Sequence, residues 1–468
     1  MTIGDVLLRL KGIIFIPFIV KYVGMADYGA YVQITVNDQM VTPLATLALG
    51  LAFMRYTAGF EDDQVEAISR DYWSVLFVSA ISCFFGAAVI YWTAPVISQH
   101  ILAGTSIESL RLAAVLVFTG CLYYQNDKFL SCRKHMKLCV VYQMLYGFLP
   151  GVGLIYGMSI KSSLFDGMLF YILAEIMIVL AMTLGIVLHL KLIAPDGPTI
   201  KKFFSYSWSL IFSQISGGLL SKVDRYFIGY YLGPVQIGIY NIVYTACSLL
   251  QAFVVPFIKY FGVYMSKVWD RGEYRRVLCQ LREGLLYYLI ISLGGLAGLT
   301  ALLKPTLNIL LNKRLESIQN FEQLIFVTGL GIVFFGASMF FSQLIKYKEK
   351  NHLQLLIQLL SVTINIVLNF FWVKTYGILG AGVATFLSYL AVMVLCNLWI
   401  KMDLGVDFLL RVMATAAGAV LCAFYMFYWQ PKSILMLLWI SVSGYAIYFL
   451  SLIALRVVKI DEIKGRFL

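Results

Sequence analysis

The sequence predicts an all-α polytopic membrane protein with about fourteen transmembrane helices. Three observations carry that prediction. Of 468 residues, 61% are hydrophobic and only 13% charged, whereas a soluble chain keeps about a quarter of its residues charged. Apolar runs of about 20 residues, enough to cross a hydrocarbon core about 30 Å thick, recur from one end to the other. The period-two alternation of an outer-membrane barrel is missing, which leaves helices as the spanning elements.

In chain order the spans are expected at 4–22, 30–54, 73–93, 108–126, 139–160, 167–190, 206–230, 238–261, 284–303, 321–345, 354–373, 380–399, 410–429 and 434–455. The first run carries Arg9 and Lys11 and is followed by no small-residue cleavage site, so it reads as a helix and not as a signal peptide. The connections alternate in charge. "CRKHMK" (132–137), "DRGEYRR" (270–276), "KYKEK" (346–350) and the tail "RVVKIDEIKGR" (456–466) are basic, while "PVISQHILAGTS" (95–106) and "GPVQI" (233–237) carry no Lys or Arg. On this reading 24 of the 36 Lys and Arg residues fall on or beside inner connections. Basic connections stay cytoplasmic, so both termini are expected inside. The net charge of +12 is mostly this topology signal, and no nucleic-acid partner is expected.

Other chemistry is sparse. The eight cysteines form no CxxC and mostly sit in apolar runs, which reads as buried free thiols. Four scattered histidines show no metal-ligand spacing, and there is no Walker loop, HExxH or GxGxxG. The expectation is therefore a protein that is not an enzyme and uses no cofactor or metal. The short outer connections leave no loop in which a membrane glycosyltransferase or ligase could build its site.

A repeat organises the chain. "YVGMADYGAY" (22–31) and "YLGPVQIGIY" (231–240) agree at four of ten positions, at one constant offset: Tyr22 with Tyr231, Gly24 with Gly233, Gly29 with Gly238, Tyr31 with Tyr240. The first glycine would end one helix in the left-handed conformation, the second would tighten the turn into the next, and the tyrosines would sit at headgroup level. Six spans separate the copies, so the halves are parallel, an arrangement used by transporters with the substrate path between repeats. The expected domains are 1–203 and 204–405, each a six-helix bundle, and 406–468, two further helices with a basic tail.

These features together resemble the polysaccharide flippases (Wzx-type) of the multidrug/oligosaccharidyl-lipid/polysaccharide (MOP) exporter superfamily. The resemblance rests on "IPFIVKYVGMADYGAY" (16–31), "LGLAFMRYTA" (49–58), "DRYFIGYYLGPVQIGIY" (224–240) and "YGILGAGVATFLSY" (376–389), in that order along nearly the whole chain. It implies two bundles forming a V around a central cavity, with helices 1, 2, 7 and 8 lining it. It also implies alternating access and an undecaprenyl-pyrophosphate-linked oligosaccharide moved from the inner to the outer leaflet. Membrane lipids, H+ or Na+, and a polysaccharide polymerase complex are the partners this implies.

Eight charged residues are read as intramembrane. Arg9, Lys11, Arg111, Lys222 and Arg225 are the candidate substrate-binding cations; Asp38, Glu175 and Asp224 are the candidates for gating or cation coupling. Each charge costs about 2.5–3.5 kcal/mol at the bilayer centre unless a partner or water meets it. Arg9, Lys11 and Arg111 lie near helix ends, where snorkelling competes with a cavity role. Lys222 lies deeper, roughly 13 Å from the outer turn, and Asp38 in "VNDQM" (36–40) lies at a similar depth of about 12 Å. Asp38 is expected to pair with Lys222 or Arg225 when the outer side is closed. Lys222 and Arg225, three apart, share a face toward the cavity, while Asp224 is expected to meet another helix. Pro43 and Pro256 are expected to kink their helices. A basic lumen would offset the desolvation of a pyrophosphate, and exporting two negative charges gains about 4.6 kcal/mol per 100 mV. The alternative within the superfamily is a cation-coupled drug or metabolite antiporter; the alternative outside it is a glycosyltransferase or ligase.

Overall fold

The computed structural model describes residues 2–61, 63–252, 254–310, 320–402, 404–429, 431–455 and 457; the side chains of 2–10, 13, 209, 213, 255, 256, 259–261 and 263 lie outside the description. The described residues form fifteen α-helices and one 3-10 turn. In order these are α1 (Thr2–Ala45), α2 (Leu49–Thr57), α3 (Val65–Ile101), α4 (Ile107–Leu112), α5 (Ala114–Cys132), α6 (Met136–Lys161), α7 (Leu164–Val187), α8 (Gly197–Leu232) and α9 (Pro234–Ser248). The turn Leu249–Gln251 follows, then α10 (Val254–Asp270), α11 (Tyr274–Leu310), α12 (Phe321–Tyr347), α13 (Asn351–Ile400), α14 (Gly405–Trp429) and α15 (Ile434–Ala454). Among the described residues nine helices are long and apolar enough to cross a membrane. The protein is thus all-helical and multi-pass, and α13 alone holds two of the expected spans.

Two compact units divide the chain, Met1–Asn241 and Ile242–Leu468. In the first, α6 and α7 pack most closely. Gly153 and Gly157, a small-xxx-small pair, bring α6 against the backbone carbonyls of Phe170 and Asp166 on α7. In lipid, where burying apolar surface gains little, such close backbone approach drives helix association. An aromatic cluster of Phe53, Tyr72 and Phe129 joins α2, α3 and α5, with ring centroids 5.2–5.8 Å apart. The segment between α7 and α8 is strapped to α3: Trp73 Nε1 donates to Lys191 O (2.9 Å), and the Ser69 and Ser74 hydroxyls accept from the amides of Lys191 and Asp196. Asp196 then caps α8 by accepting from Thr199 N at 2.9 Å. The Thr199 hydroxyl, which donates to the same carboxylate oxygen at 2.6 Å, and then that amide hold the Asp196 carboxyl below the ordinary aspartate range. The second unit is built on α11. The Tyr448 ring of α15 fills the space over Gly294, and its hydroxyl donates to Ile290 O at 2.6 Å. The Arg282 guanidinium stacks over Phe408 of α14 at 5.7 Å. The last two helices are therefore integral to this unit.

Three expected helices are broken. The second span ends at Ala45, two residues after Pro43, and resumes at Leu49 as α2; Leu47 and Ala48 bridge the break with φ of 50° and 53°. Pro43 therefore does more than kink its helix, since the ladder it weakens stops outright within a turn. The fourth is split at Ala113 and the eighth around Leu249–Gln251. Pro256 falls in the first turn of α10, where a missing N–H costs least. Seven cysteines are free and buried as expected, and Cys279 is exposed.

The repeat has a physical counterpart. Gly24 and Gly233 adopt almost the same backbone conformation, φ 85°, ψ −179° and φ 84°, ψ 179°, which only glycine takes without strain. Gly29 and Gly238 do not turn the chain. Each lies inside a helix and packs on the other copy: a Cβ on Gly29 would collide with the Pro234 carbonyl, and one on Gly238 would sit 3.1 Å from the Met25 carbonyl. Met25 and Pro234 are themselves equivalent under the repeat offset, so the contact is reciprocal. Tyr240 is fully buried rather than at headgroup level. Gly29→Ala is therefore expected to cost roughly 1–3 kcal/mol, read as a lower thermal midpoint in detergent. Gly238→Ala, whose neighbours include the movable Met25 thioether, should cost clearly less. Equal losses would contradict the reciprocal packing.

Candidate functional site

The second leg of α1 carries polar residues at helical spacing into an apolar interior. Gln33 and Asn37 are four apart, as are Asp38 and Thr42. Gln33 Nε2 donates to Asn37 Oδ1 at 3.0 Å, and Thr42 Oγ1 donates to Asp38 Oδ1 at 2.6 Å. From α8, Tyr226 donates its hydroxyl to Asn37 Oδ1 at 2.6 Å, and Lys222 Nζ reaches Gln39 O at 3.4 Å. Asn241 Nδ2 donates to the Tyr28 hydroxyl at 3.0 Å. These bonds and the two glycine contacts close the seam of α1 with α8 and the start of α9. The closure is incomplete: Gln33 Oε1 and Asn37 Nδ2, both buried, have no hydrogen-bond partner among the described residues.

Deeper in the unit, Glu175 of α7 is buried and accepts from Thr119 Oγ1 of α5 at 2.6 Å. The side chains of Tyr146, from α6, and Tyr171, four residues earlier on α7, lie close to its carboxylate. Tyr171 packs edge-on against Tyr31, and Tyr146 stacks on Tyr123 with centroids 3.9 Å apart. Lys11 Nζ donates to Gly147 O at 2.8 Å. The charges act on one another in sequence: Lys11 on Glu175, Glu175 on Asp38, Asp38 on Lys222. Two acids thus lie between two bases, and each charge keeps a local hydrogen bond rather than closing a direct pair.

Asp224 and Arg225 behave differently. Arg225 Nη1 lies 2.7 Å from Asp224 Oδ1 and 2.6 Å from Ser221 O; its guanidinium sits 5.2 Å over the Tyr240 ring, and both charged side chains are at most 3% exposed. Tyr240 donates its hydroxyl to Asp224 Oδ2 at 2.6 Å. Asp224 does meet another helix, through Tyr240, but its charge partner is its own chain neighbour. The expected shared face of Lys222 and Arg225 is not formed, because the long Arg225 side chain folds back onto Asp224 despite the angle of about 100° between them on the helix. Nor do Asp38 and Lys222 come within ion-pair distance; Thr42 and Gln39 hold them as neighbours instead. Arg111, in the short helix α4, pairs with Glu108 at 3.6 Å and lies over Tyr91, away from this layer and partly exposed. The Arg9 side chain lies outside the described residues.

The sequence reading missed Thr119, Tyr146, Tyr171, Tyr226 and Tyr240. Hydroxyl-bearing residues are common in the spans and signal nothing alone. The i, i+4 pairs Gln33/Asn37 and Asp38/Thr42 were a usable signal, since polar neighbours on one face of an apolar helix need a reason.

The helical spans, the paired glycine turns and this charged layer belong to a multi-pass membrane protein. The fold is similar to that of the lipid II flippase MurJ in an inward closed conformation, with a TM-score of 0.77 over 97% of each chain at 14% identity. It is also similar to an inward-facing multidrug resistance MATE family transporter of the MOP superfamily, with a TM-score of 0.63 over 89% of this chain and 99% of that one at 13% identity. Identities this low establish the fold. In sequence, the chain is 19% identical over 467 residues to the uncharacterized membrane protein MJ1068 of Methanocaldococcus jannaschii, covering 94% of this chain and 90% of that protein. The model of the polysaccharide biosynthesis protein family matches residues 1–263, more than half of the chain. The chain belongs to that family.

The buried Asp224–Arg225–Tyr240 cluster makes a graded prediction. Asp224→Asn leaves a buried guanidinium without its carboxylate and should cost about 3–5 kcal/mol. Tyr240→Phe leaves one carboxylate oxygen short of a donor and should cost about 1–3 kcal/mol. The double variant Asp224→Leu/Arg225→Leu should recover most of the first loss in thermal denaturation. Three equal losses would contradict the cluster.

Proposed function

We propose that this protein flips an undecaprenyl-pyrophosphate-linked oligosaccharide, a repeat unit of O-antigen, capsule or exopolysaccharide, from the inner to the outer leaflet by alternating access. The observation that carries the reading is Lys222. It stands half-buried at mid-depth of α8, next to Asp38, with its ammonium bonded to a backbone carbonyl at 3.4 Å. An ammonium held that loosely is available to a phosphate when the seam of α1 and α8 parts, and Lys11 supplies a second cation across Glu175. The seam's unsatisfied carboxamides, Gln33 and Asn37, would then meet water or sugar hydroxyls. Arginine usually serves phosphate through its bidentate fork, but here Arg225 is engaged by Asp224, and its role in this reading is to hold α8 to α9.

In this proposal the halves are 1–203 and 204–405, with 406–468 added, fourteen spans and cytoplasmic termini in a bacterial inner membrane. Asp38 and Glu175, which act on each other, are the groups that would take up H+ or Na+ to drive return. That acidic pair is also what favours the second reading, a cation-coupled antiporter of drugs or metabolites. A polymerase complex would receive the flipped unit.

A deletion strain separates these readings. The flippase reading expects lipid-linked oligosaccharide to accumulate on the inner leaflet and surface polysaccharide to fall. Lys222→Gln, expressed to the wild-type level, should reproduce at least about a tenfold loss, equivalent to about 1.4 kcal/mol. Normal polysaccharide with altered drug tolerance would favour the antiporter. Loss of the lipid-linked unit without accumulation would indicate a transferase.

A further inference from the structure

The second unit contains a cavity, mostly apolar in its walls but with a set of polar side chains, that has no part in the reading above. It has a volume of about 130 Å³ and lies among α10, α12 and α13, roughly ten times the space of about 10–15 Å³ that one water needs. Ser338, Ser342, Gln343, Lys346, Gln354 and Gln358 provide its polar lining, and no Asp or Glu lines it. The hydroxyls of Ser338 and Ser342 are turned to Phe335 O and the Cys396 thiol, which leaves Lys346 and the glutamines as the polar groups that can face an occupant. Lys346 has no carboxylate within ion-pair distance among the described residues. It opens the turn 346–350, where Lys348 and Lys350 lie over the Trp399 ring at 5.6 and 4.6 Å and Glu349 is the one acid.

A cationic cavity between membrane helices, beside a basic turn with an interfacial tryptophan, has the composition of a headgroup site on the cytoplasmic side. We propose that this cavity seats the phosphoryl headgroup of an anionic phospholipid. Lys346 supplies the charge, the amides of Gln343 and Gln354 donate to phosphoryl oxygens, and Lys348 and Lys350 hold the turn against Trp399 without entering the cavity. The site shares no residue with the charged layer of the first unit, and it stands or falls independently of the substrate proposed there.

The test uses the purified full chain in neutral detergent, with lipid binding read by native mass spectrometry and by thermal shift. Phosphatidylglycerol should bind at least about fivefold more tightly than phosphatidylcholine, and Lys346→Ala should remove that preference. Gln354→Leu, from the facing helix, should weaken it, while Lys348→Ala should leave it within about twofold. Equal binding of the two lipids would overturn the proposal, as would equal losses in Lys346→Ala and Lys348→Ala, which would mean diffuse surface attraction. Competition by millimolar inorganic phosphate would reassign the cavity to a soluble anion. Displacement of phosphatidylglycerol by a polyprenyl diphosphate at lower concentration would reassign it to the transported lipid.

Discussion

Hydrocarbon cannot solvate an ionised side chain, so every charge kept inside this chain must be answered by another protein group or by water. The first unit answers it in two ways. Asp224 and Arg225 neutralise each other at 2.7 Å and are sealed by Tyr240, an arrangement that is costly to break and poorly suited to binding anything else. Lys11, Glu175, Asp38 and Lys222 are instead held by neutral groups: backbone carbonyls for the lysines and threonine hydroxyls for the acids. Such groups steady a charge without cancelling it. The layer thus keeps its electrostatic capacity, and the difference between the two arrangements is the physical basis for assigning work to one and structure to the other.

The reciprocal turns give this layer its frame. Matching glycine conformations at 24 and 233 bring two helix starts together, and the glycines at 29 and 238 let each copy rest on the other's backbone. A contact made of backbone and small residues, zipped by Tyr226, Asn241 and Lys222, is closed by a few hydrogen bonds worth about 0.5–1.5 kcal/mol each. A seam of that strength can hold a state and still be opened by a ligand with modest preference for the open form.

The spans were legible because a run of about 20 apolar residues is its own signal. The repeat was legible because glycine at positive φ has few substitutes. The break after Ala45 was legible in part, through Pro43, but the one before Ala114 was not, since Ala113 carries no turn signature. In the site, helical rise placed Asp38 and Lys222 at one depth, and they are indeed neighbours. A helical wheel misread Asp224 and Arg225 because it fixes where a side chain starts and not where an arginine of that length ends. Thr119 and Tyr146 come from α5 and α6, and only folding brings them to Glu175, whereas Tyr171 stands four residues before Glu175 on α7 and was open to the same i, i+4 reading.

The central claim is that the layer of Lys11, Glu175, Asp38 and Lys222 serves an anionic, lipid-borne substrate. Proteoliposomes holding the purified chain test it directly, by the rate at which a short-chain polyprenyl-diphosphate-linked sugar crosses compared with the same sugar on an uncharged polyprenol. The account predicts that the protein accelerates only the diphosphate and that Lys11→Gln/Lys222→Gln abolishes the difference. Equal acceleration of both lipids, or faster movement of a lipophilic cation, would contradict it.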